Sequence, residues 1–501
     1  MAAAMKFYKK INFSVFTRIL RNKRGLITPR FKSTVTKPIE TKDLKYYGQP
    51  SFQSHPHLIS KHDDVTRGIS KHEFKQRRNL LLKRIINNSP GSEHLLILPS
   101  APRYYMTTSV PYKYRQNTDF LYLSGFLEAD SILVLYTSKQ GTQLNEAIFV
   151  PDKNERRELW EGTITGPRDA VQLLGIDNAY GIKDFNSFLI RFVQDLSSDK
   201  YVLWYNVQQP VAINSIDDLI RANKHSTIQN PIPHLHHLRL FKSKPEIALL
   251  EQCNRITAES FKQVMKFTKP GMSEAHLDAR MEYECRLRGA DYLAYIPVVA
   301  GGNRACTIHY VRNNQIMNDG ELVLVDAGAE YHGYCSDVTR TWPVSGRFSA
   351  AQREIYDAVL RIQKVCLDMC QPGFTLDNIY LMMLNHIQLE LEKLELIPNH
   401  LSKENKSKLV REICPHHVGH YFGMDIHDSG SSSQTLPFQP GMAITVEPAI
   451  YIPESRTDFP TRYRGIGIRI EDDVLITSDG HINLTENCPK HPDEIESLMC
   501  S

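Results

Sequence analysis

The sequence predicts an α/β (α+β) chain whose second half is one unit built twice, and three observations carry that reading. An apolar run closed by a carboxylate occurs in Gly320-Glu-Leu-Val-Leu-Val-Asp326 and again in Gly441-Met-Ala-Ile-Thr-Val-Glu447, with the acid six residues after the glycine each time. A capping box precedes each run, Ser243-Lys-Pro-Glu246 and Ser349-Ala-Ala-Gln352; the serine hydroxyl can take an orphan helical amide while the Glu or Gln reaches back. Each helical stretch then stops at Pro-Gly and restarts at a hydroxyl residue, in Lys269-Pro-Gly-Met-Ser273 and Gln371-Pro-Gly-Phe-Thr375, since Pro-Gly cannot continue a helix and Ser or Thr can cap the next one. Helix, break, helix, strand, acid in the same order twice points to internal duplication, with two strands delivering carboxylates to one shared site.

At 501 residues the chain is too long for one ordinary domain, and the duplicated part accounts only for its last half. Residues 65–235 read as a separate α/β domain, with a helix over His72–Ile85 and buried strands at Leu95–Leu98 and Ser131–Tyr136. The boundary falls at Asn230-Pro-Ile-Pro-His-Leu-His-His237, read as an exposed linker with no acid near its histidines. Residues 236–501 form the duplicated domain.

Residues 1–39 hold no Asp or Glu but ten Lys and Arg, interleaved with apolar residues. That is the composition of a mitochondrial presequence. The whole chain has 60 basic and 56 acidic residues, a balance of +4; without the leader the count is 50 against 56, or −6. Nucleic-acid binding thereby loses its compositional support, and no apolar run is long enough to span a bilayer. Nine cysteines without CxxC spacing read as reduced thiols, and Cys366 with Cys370, one helical turn apart, as buried packing.

A second acid follows each strand. After Asp326 the chain turns near Gly333 and returns through Tyr334–Trp342, which brings Asp337 back beside Asp326. After Glu447, Pro448 ends strand pairing, and Gly465–Thr477 reads as a further strand with Arg469 and Glu471 on the face opposite Ile466, Ile468 and Ile470. Between these acids lies the histidine-rich stretch Pro415–Asp428, containing His416, His420 and His427. Four carboxylates and one neutral imidazole carry a formal charge of −4, which two divalent cations balance. Mostly oxygen ligation with no thiolate favours Mn²⁺, with Co²⁺ or Zn²⁺ as alternatives.

The ordered set Asp326, Asp337, His420, Glu447 and Glu471, with Val-Glu-Pro and Gly-Ile-Arg-Ile-Glu-Asp-Asp around the last two, resembles the pita-bread metallopeptidases, and within them the aminopeptidase P (Xaa-Pro aminopeptidase) branch in its mitochondrial form. The resemblance implies a creatinase-type N-terminal domain, a pita-bread catalytic domain with a pseudo-two-fold axis, and a homo-oligomer, dimer or tetramer. It implies a dinuclear centre bridged by Asp337 and Glu471, with Asp326 on one ion and His420 on the other, and with Glu447 as both ligand and proton carrier. His309, His427 and His416 match the family's substrate-side histidines, and Tyr310 stands beside the first. Arg469 would hold a ligand carboxylate by charge-assisted hydrogen bonds, and Asp119, in Gln116–Phe126, matches a substrate-contacting aspartate. Ala449 departs from the usual glycine after Glu-Pro. Thr163 and Ile164 stand where arginines are usual, which leaves no expected substrate contact there.

The activity implied is removal of one residue from the N-terminus of peptides or proteins, preferentially before proline, including trimming of proteins imported into the mitochondrial matrix. A prolidase that cleaves free Xaa-Pro dipeptides is the alternative enzyme; the short segment between Glu447 and Glu471 leaves little room for an insertion that clamps a substrate carboxylate. Methionine aminopeptidase lacks a creatinase-like first domain. A non-catalytic binding scaffold would lose ligands, and none of the five is missing.

Overall fold

In the first α/β unit, alternation along the strands decides which way each side chain points. The strand Glu93–Pro99 sends Leu96 and Leu98 into one apolar cluster and Leu95 and Ile97 into another. The first cluster is closed by Leu81, Leu82 and Ile85 of helix Lys71–Asn88, and the second by Phe185, Leu189 and Phe192 of helix Phe185–Gln194. A helix on each face explains why these strands read as continuous apolar runs. Six strands make the sheet, in the order Thr227–Gln229, Tyr201–Trp204, Glu93–Pro99, Ile132–Ser138, Gln143–Val150, Ala179–Gly181. The computed structural model describes residues 45–138, 142–196, 201–208, 216, 227–398 and 400–501; the basic leader expected over residues 1–39 lies outside them.

The stretch Asn230–His237 is not an exposed linker. Ile232–Leu240 is a helix with Leu235 and Arg239 buried. Its prolines misled the reading because proline in a first turn lacks only an amide that would be unpaired anyway. Its histidines serve as contacts: His234 packs edge-on against Trp204, and His236 Nδ1 lies 3.0 Å from Ser431 Oγ.

The repeated half follows the expected order closely. Helix Lys244–Phe267 begins with a reciprocal capping box from Ser243 and Glu246, and Ala350–Asp368 with one from Ser349 and Gln352. Glu274–Leu287 and Leu376–Lys393 restart at Ser273 and Thr375, each also boxed. The break glycines Gly271 and Gly373 take φ of +83° and +91°, and the pre-strand glycines Gly320 and Gly441 take +80° and +93°. These values lie in the left-handed region that glycine enters without penalty, so the two halves share turn chemistry as well as element order.

Each half then forms a bent antiparallel pair. In the first, Leu322–Ala327 pairs with Val338–Pro343, with Asp326 opposite Thr339. Beyond Gly328 the pairing resumes between Ala329–Tyr331 and Tyr334–Cys335, closed by a His332-Gly333 turn with φ of +51° and +80°. The Tyr334–Trp342 stretch is thus two strands, and Asp337 sits in the interruption. A Cβ on Gly328 would stand 1.7 Å from the Ser336 carbonyl oxygen, so only glycine permits this close crossing. In the second half Ala443–Val446 pairs with Asp472–Ile476, and Ala449–Ile452 with Ile466–Arg469. The single strand expected over Gly465–Thr477 is likewise divided, at Ile470-Glu471, across from Glu447-Pro448. Proline's missing donor breaks the ladder there, and Glu447 and Glu471 are left side by side in the gap. Ala449 opens its strand without needing a glycine's backbone, opposite Arg469.

Candidate functional site

Asp337, Glu447 and Glu471 come from the interrupted centres of the two bent pairs, and Asp326 from the strand beside the first interruption. His420 arrives on a segment laid beside the Ala443–Val446 strand: Thr445 N donates to His420 O (2.9 Å) and Glu447 N to Val418 O (2.8 Å). A Cβ on Gly419 would meet Thr445 O at 2.0 Å, so glycine is what lets this segment approach. The two halves join through Thr339, whose carbonyl accepts from Glu471 N (3.1 Å) and whose hydroxyl donates to Glu471 Oε2 (2.6 Å). Asp337 N donates to Asp473 Oδ2 across the same seam (2.9 Å).

Among the described residues, one ligand atom from each of Asp337, His420 and Glu471 lies within 4.8 Å of the others. His420 Nε2 is 3.4 Å from Asp337 Oδ2 and 3.8 Å from Glu447 Oε1. Asp326 is tied in by Tyr295, whose hydroxyl stands 2.6 Å from Asp326 Oδ1 and 2.6 Å from Asp337 Oδ1. A phenol has one proton, so it serves one carboxylate at a time. Burial, reinforced by the two aspartate charges, pushes Tyr295 well above the usual phenol range. It therefore stays a donor.

Burial raises the acids Asp326, Glu447 and Glu471 above the ordinary carboxylate range, Glu447 to about 7. Neighbouring acids add to the rise in each; Arg469 opposes it throughout, and His420 opposes it at Glu447. Asp337 alone falls, because the hydrogen bond and charge of His420 outweigh its burial. Burial pulls His420 down, but Asp337 and Glu447 hold it up at about 9. A cluster this acid-rich keeps protons at neutral pH only for want of a stronger positive partner. The donor set therefore fits divalent cations: four convergent carboxylates, one imidazole, and no thiolate among them.

Arg469 is buried and holds the Asp326 carboxylate. Its guanidinium donates to Asp326 Oδ2, to Thr339 Oγ1 (3.0 Å) and to Tyr451 OH (2.6 Å). His416 Nε2 lies 3.1 Å from the same Tyr451 hydroxyl, and its Nδ1 is 3.8 Å from Glu447 Oε2. Burial, with the Arg469 charge, lowers His416 to about 4, so it is neutral. His427 packs edge-on to His420 at 4.4 Å between ring centres. His309 is exposed and near enough to His416 and His427 for its charge to depress both. His417, in the same cluster, faces away toward Asp377 and stacks on Tyr380.

Two residues singled out in the sequence are engaged elsewhere. Tyr310 donates its hydroxyl to Glu274 Oε2 (2.9 Å), a buried acid that also takes Arg304 and the amides of Gly301 and Gln315. That is an anchor for the loop bearing His309. Asp119 Oδ1 accepts from Arg239 Nη1 at 2.5 Å. Tyr295, Tyr451 and Thr339 were not singled out, because nothing in the spacing of a lone Tyr or Thr marks it as facing residues that are distant in sequence.

The chain belongs to metallopeptidase family M24: the family's model matches residues 248–478, and that of the aminopeptidase P N-terminal domain matches residues 74–203. The pita-bread fold and its preceding α/β domain are therefore the architecture of this protein. It is 43% identical to Xaa-Pro aminopeptidase 3 of Rattus norvegicus over 96% of each chain. It is 38% identical to the mitochondrial intermediate cleaving peptidase 55 of Arabidopsis thaliana, over 92% of this chain and 89% of that one. The solved structure of aminopeptidase P from E. coli with the inhibitor Pro-Leu matches it with a TM-score of 0.79 at 35% identity, covering 86% of this chain and 98% of that chain.

Proposed function

We propose that this protein is a metal-dependent Xaa-Pro aminopeptidase that trims the N-termini of peptides and of proteins imported into mitochondria, acting in the matrix. The observation that carries it is the convergence of Asp337, His420 and Glu471 at the seam between the two halves, with Asp326 and Glu447 against them. Asp337, Glu471, Asp326, His420 and Glu447 would hold the ions; two Mn²⁺ suit this donor set best, with Co²⁺ or Zn²⁺ the alternatives. Bound there, the ions supply a nucleophilic hydroxide near neutral pH and polarise the scissile carbonyl.

The chain's own residues do the rest. Glu447 accepts a proton from the attacking water and returns it to the leaving proline nitrogen, a tertiary amide nitrogen before the bond breaks and a secondary amine afterwards. His427 and His309 offer donors to the carbonyl oxygen as charge develops on it, a contribution of about 3–4 kcal/mol for one well-placed donor elsewhere. Neutral His416, held by Tyr451, lines the proline side. Arg469 aims Asp326 and its charge opposes the rise that burial gives that carboxyl. Likeness to the mitochondrial intermediate cleaving peptidase 55 supports a mitochondrial setting, and a homo-oligomer is part of the proposal.

Tyr295→Phe is expected to weaken metal binding by about 10- to 100-fold, as loss of a ligand's hydrogen-bonding support does elsewhere, while leaving the fold intact. Metal titration followed by calorimetry checks this; an unchanged affinity would remove Tyr295 from the support of the site.

One panel tests the activity: Xaa-Pro-Xaa tripeptides, Xaa-Pro dipeptides and Met-initiated peptides, each with added Mn²⁺. Tripeptide cleavage is expected to dominate. Preference for dipeptides favours prolidase, against which stands the connection 453–465, short and tied down by Arg464 to the carbonyls of Phe459 and Thr457. No cleavage by metal-loaded protein favours a binding scaffold. The processing role is checked by N-terminal proteomics of mitochondria with and without the enzyme, where mature N-termini are expected to shift by one residue.

A further inference from the structure

The loop that carries His427 is held in part by the N-terminal domain and the helix that follows it. Within itself it is closed by Asp428 N to Tyr421 O (2.9 Å), Gly423 N to Asp425 O (3.0 Å) and Met424 N to Asp428 Oδ2 (3.1 Å). The catalytic half contributes the backbone bonds from Cys335 N to Gly423 O (2.8 Å) and from Phe422 N to Ala443 O (3.2 Å), and Cys335 Sγ donates to Met424 O (3.4 Å). The two acids flanking His427 are instead gripped by Arg239, from the helix joining the two domains. Its Nη2 lies 2.7 Å from Asp425 Oδ2 and 2.9 Å from Asp428 Oδ1, while Nη1 reaches Asp119 Oδ1. The N-terminal domain adds Arg115, whose Nη2 donates to Met424 O (3.0 Å) and lies 3.3 Å from Asp425 Oδ1, and Thr118, whose hydroxyl donates to Asp425 Oδ1 (2.7 Å).

We propose that Arg239 is a positioning residue for His427, clasping Asp425 and Asp428 so that the N-terminal domain and joining helix set where the imidazole sits; this rests on the reading above that His427 contacts the substrate. A guanidinium suits the task because its planar fork can serve several carboxylates in fixed directions, which an ammonium cannot. Asp425 and Asp428 stand two residues before and one residue after His427, so a shift of either carries the ring with it. A misplacement of about 1 Å at a reacting centre can cost on the order of a hundredfold in rate. The same cluster gives Asp119 a part in the site: it is the N-terminal domain's carboxylate on the clasp.

The alternative is that Arg239 only stabilises the domain interface. A double-mutant cycle on the full-length, Mn²⁺-loaded protein separates the two. The variants are Arg239→Gln, Asp425→Asn and His427→Ala, singly and with each of the first two combined with the third, assayed on an Xaa-Pro-Xaa tripeptide for kcat, KM and bound metal. Arg239→Gln is expected to lower kcat by about ten- to a hundredfold, with KM and metal content within about twofold of wild type. Added to His427→Ala, it is expected to cost nothing further. A full, additive loss on that background overturns the proposal, as does a rise in KM with kcat unchanged. Should Arg239→Gln fail to fold, Asp425→Asn carries the same cycle, since that side chain is 34% exposed and tolerates the change. A wild-type protein that leaves the tripeptide intact overturns the peptidase reading and the clasp with it; an active wild type with additive variants overturns the clasp alone.

Discussion

Glu447→Gln is expected to leave the protein folded and its ions bound while lowering turnover by about 10²–10⁴-fold, the range that general acid–base groups contribute. The carboxamide keeps the shape of the side chain and one oxygen that can ligate, and Asp326, Asp337, His420 and Glu471 are untouched. What it removes is a group that can take up a proton near neutral pH. In the metal-free fold burial raises Glu447 to about 7 against the opposing charges of His420 and Arg469, so the site can carry a proton there before the ions bind. Its position is as specific as its pKa. Pro448 interrupts the strand immediately after it, which frees the side chain from a regular ladder and turns it toward His420 Nε2 at 3.8 Å and His416 Nδ1 at 3.8 Å. Elemental analysis together with steady-state kinetics checks the prediction: more than a few per cent of wild-type turnover with full metal content would show that the proton is carried elsewhere.

Much of the candidate site was legible because its signals are local. A carboxylate six residues after a glycine, a capping box and a Pro-Gly break each depend on a handful of neighbouring residues, and their repetition exposed the duplication. The paired φ values at Gly271 and Gly373, and at Gly320 and Gly441, show why the pattern survived in both halves: the same backbone turn is needed twice. Illegible were features decided by contacts across the chain. Ile466–Ile476 alternates as one strand should, and only its change of partner, from the Ala449 strand to the Ala443 strand, breaks it at Glu471. Tyr295 carries no mark of the two aspartates it links. Asp119 could be picked out, but not its partner Arg239, which lies just beyond the stretch Asn230–His237 whose prolines and histidines looked like a linker. The leader, by contrast, rests on composition alone.

Stripping the metals should destabilise the protein more at pH 8 than at pH 6. The sign follows from the direction of each shift in the metal-free fold. Asp326, Glu447 and Glu471 have raised values, so the stability they contribute is present below the unfolded carboxylate range and is lost as pH rises through their folded values, near 7 for Glu447. His420 is also raised, to about 9, so its ion pair with Asp337 stabilises most below the ordinary histidine range and is lost on the way to pH 9. Asp337 is lowered, and its contribution is lost only as pH falls below the ordinary carboxylate range, outside this window. Ion binding displaces these protons and needs the deprotonated groups, so affinity grows with pH while the metal-free form weakens. The difference in thermal midpoint between Mn²⁺-loaded and chelator-treated protein is therefore expected to widen from pH 6 to pH 8, with activity abolished by the chelator and restored by Mn²⁺. Proton release on adding Mn²⁺ to weakly buffered protein gives an independent reading of the same linkage. A midpoint difference that stays flat or narrows over that range would mean that the acids at the seam are not the groups that hold the ions.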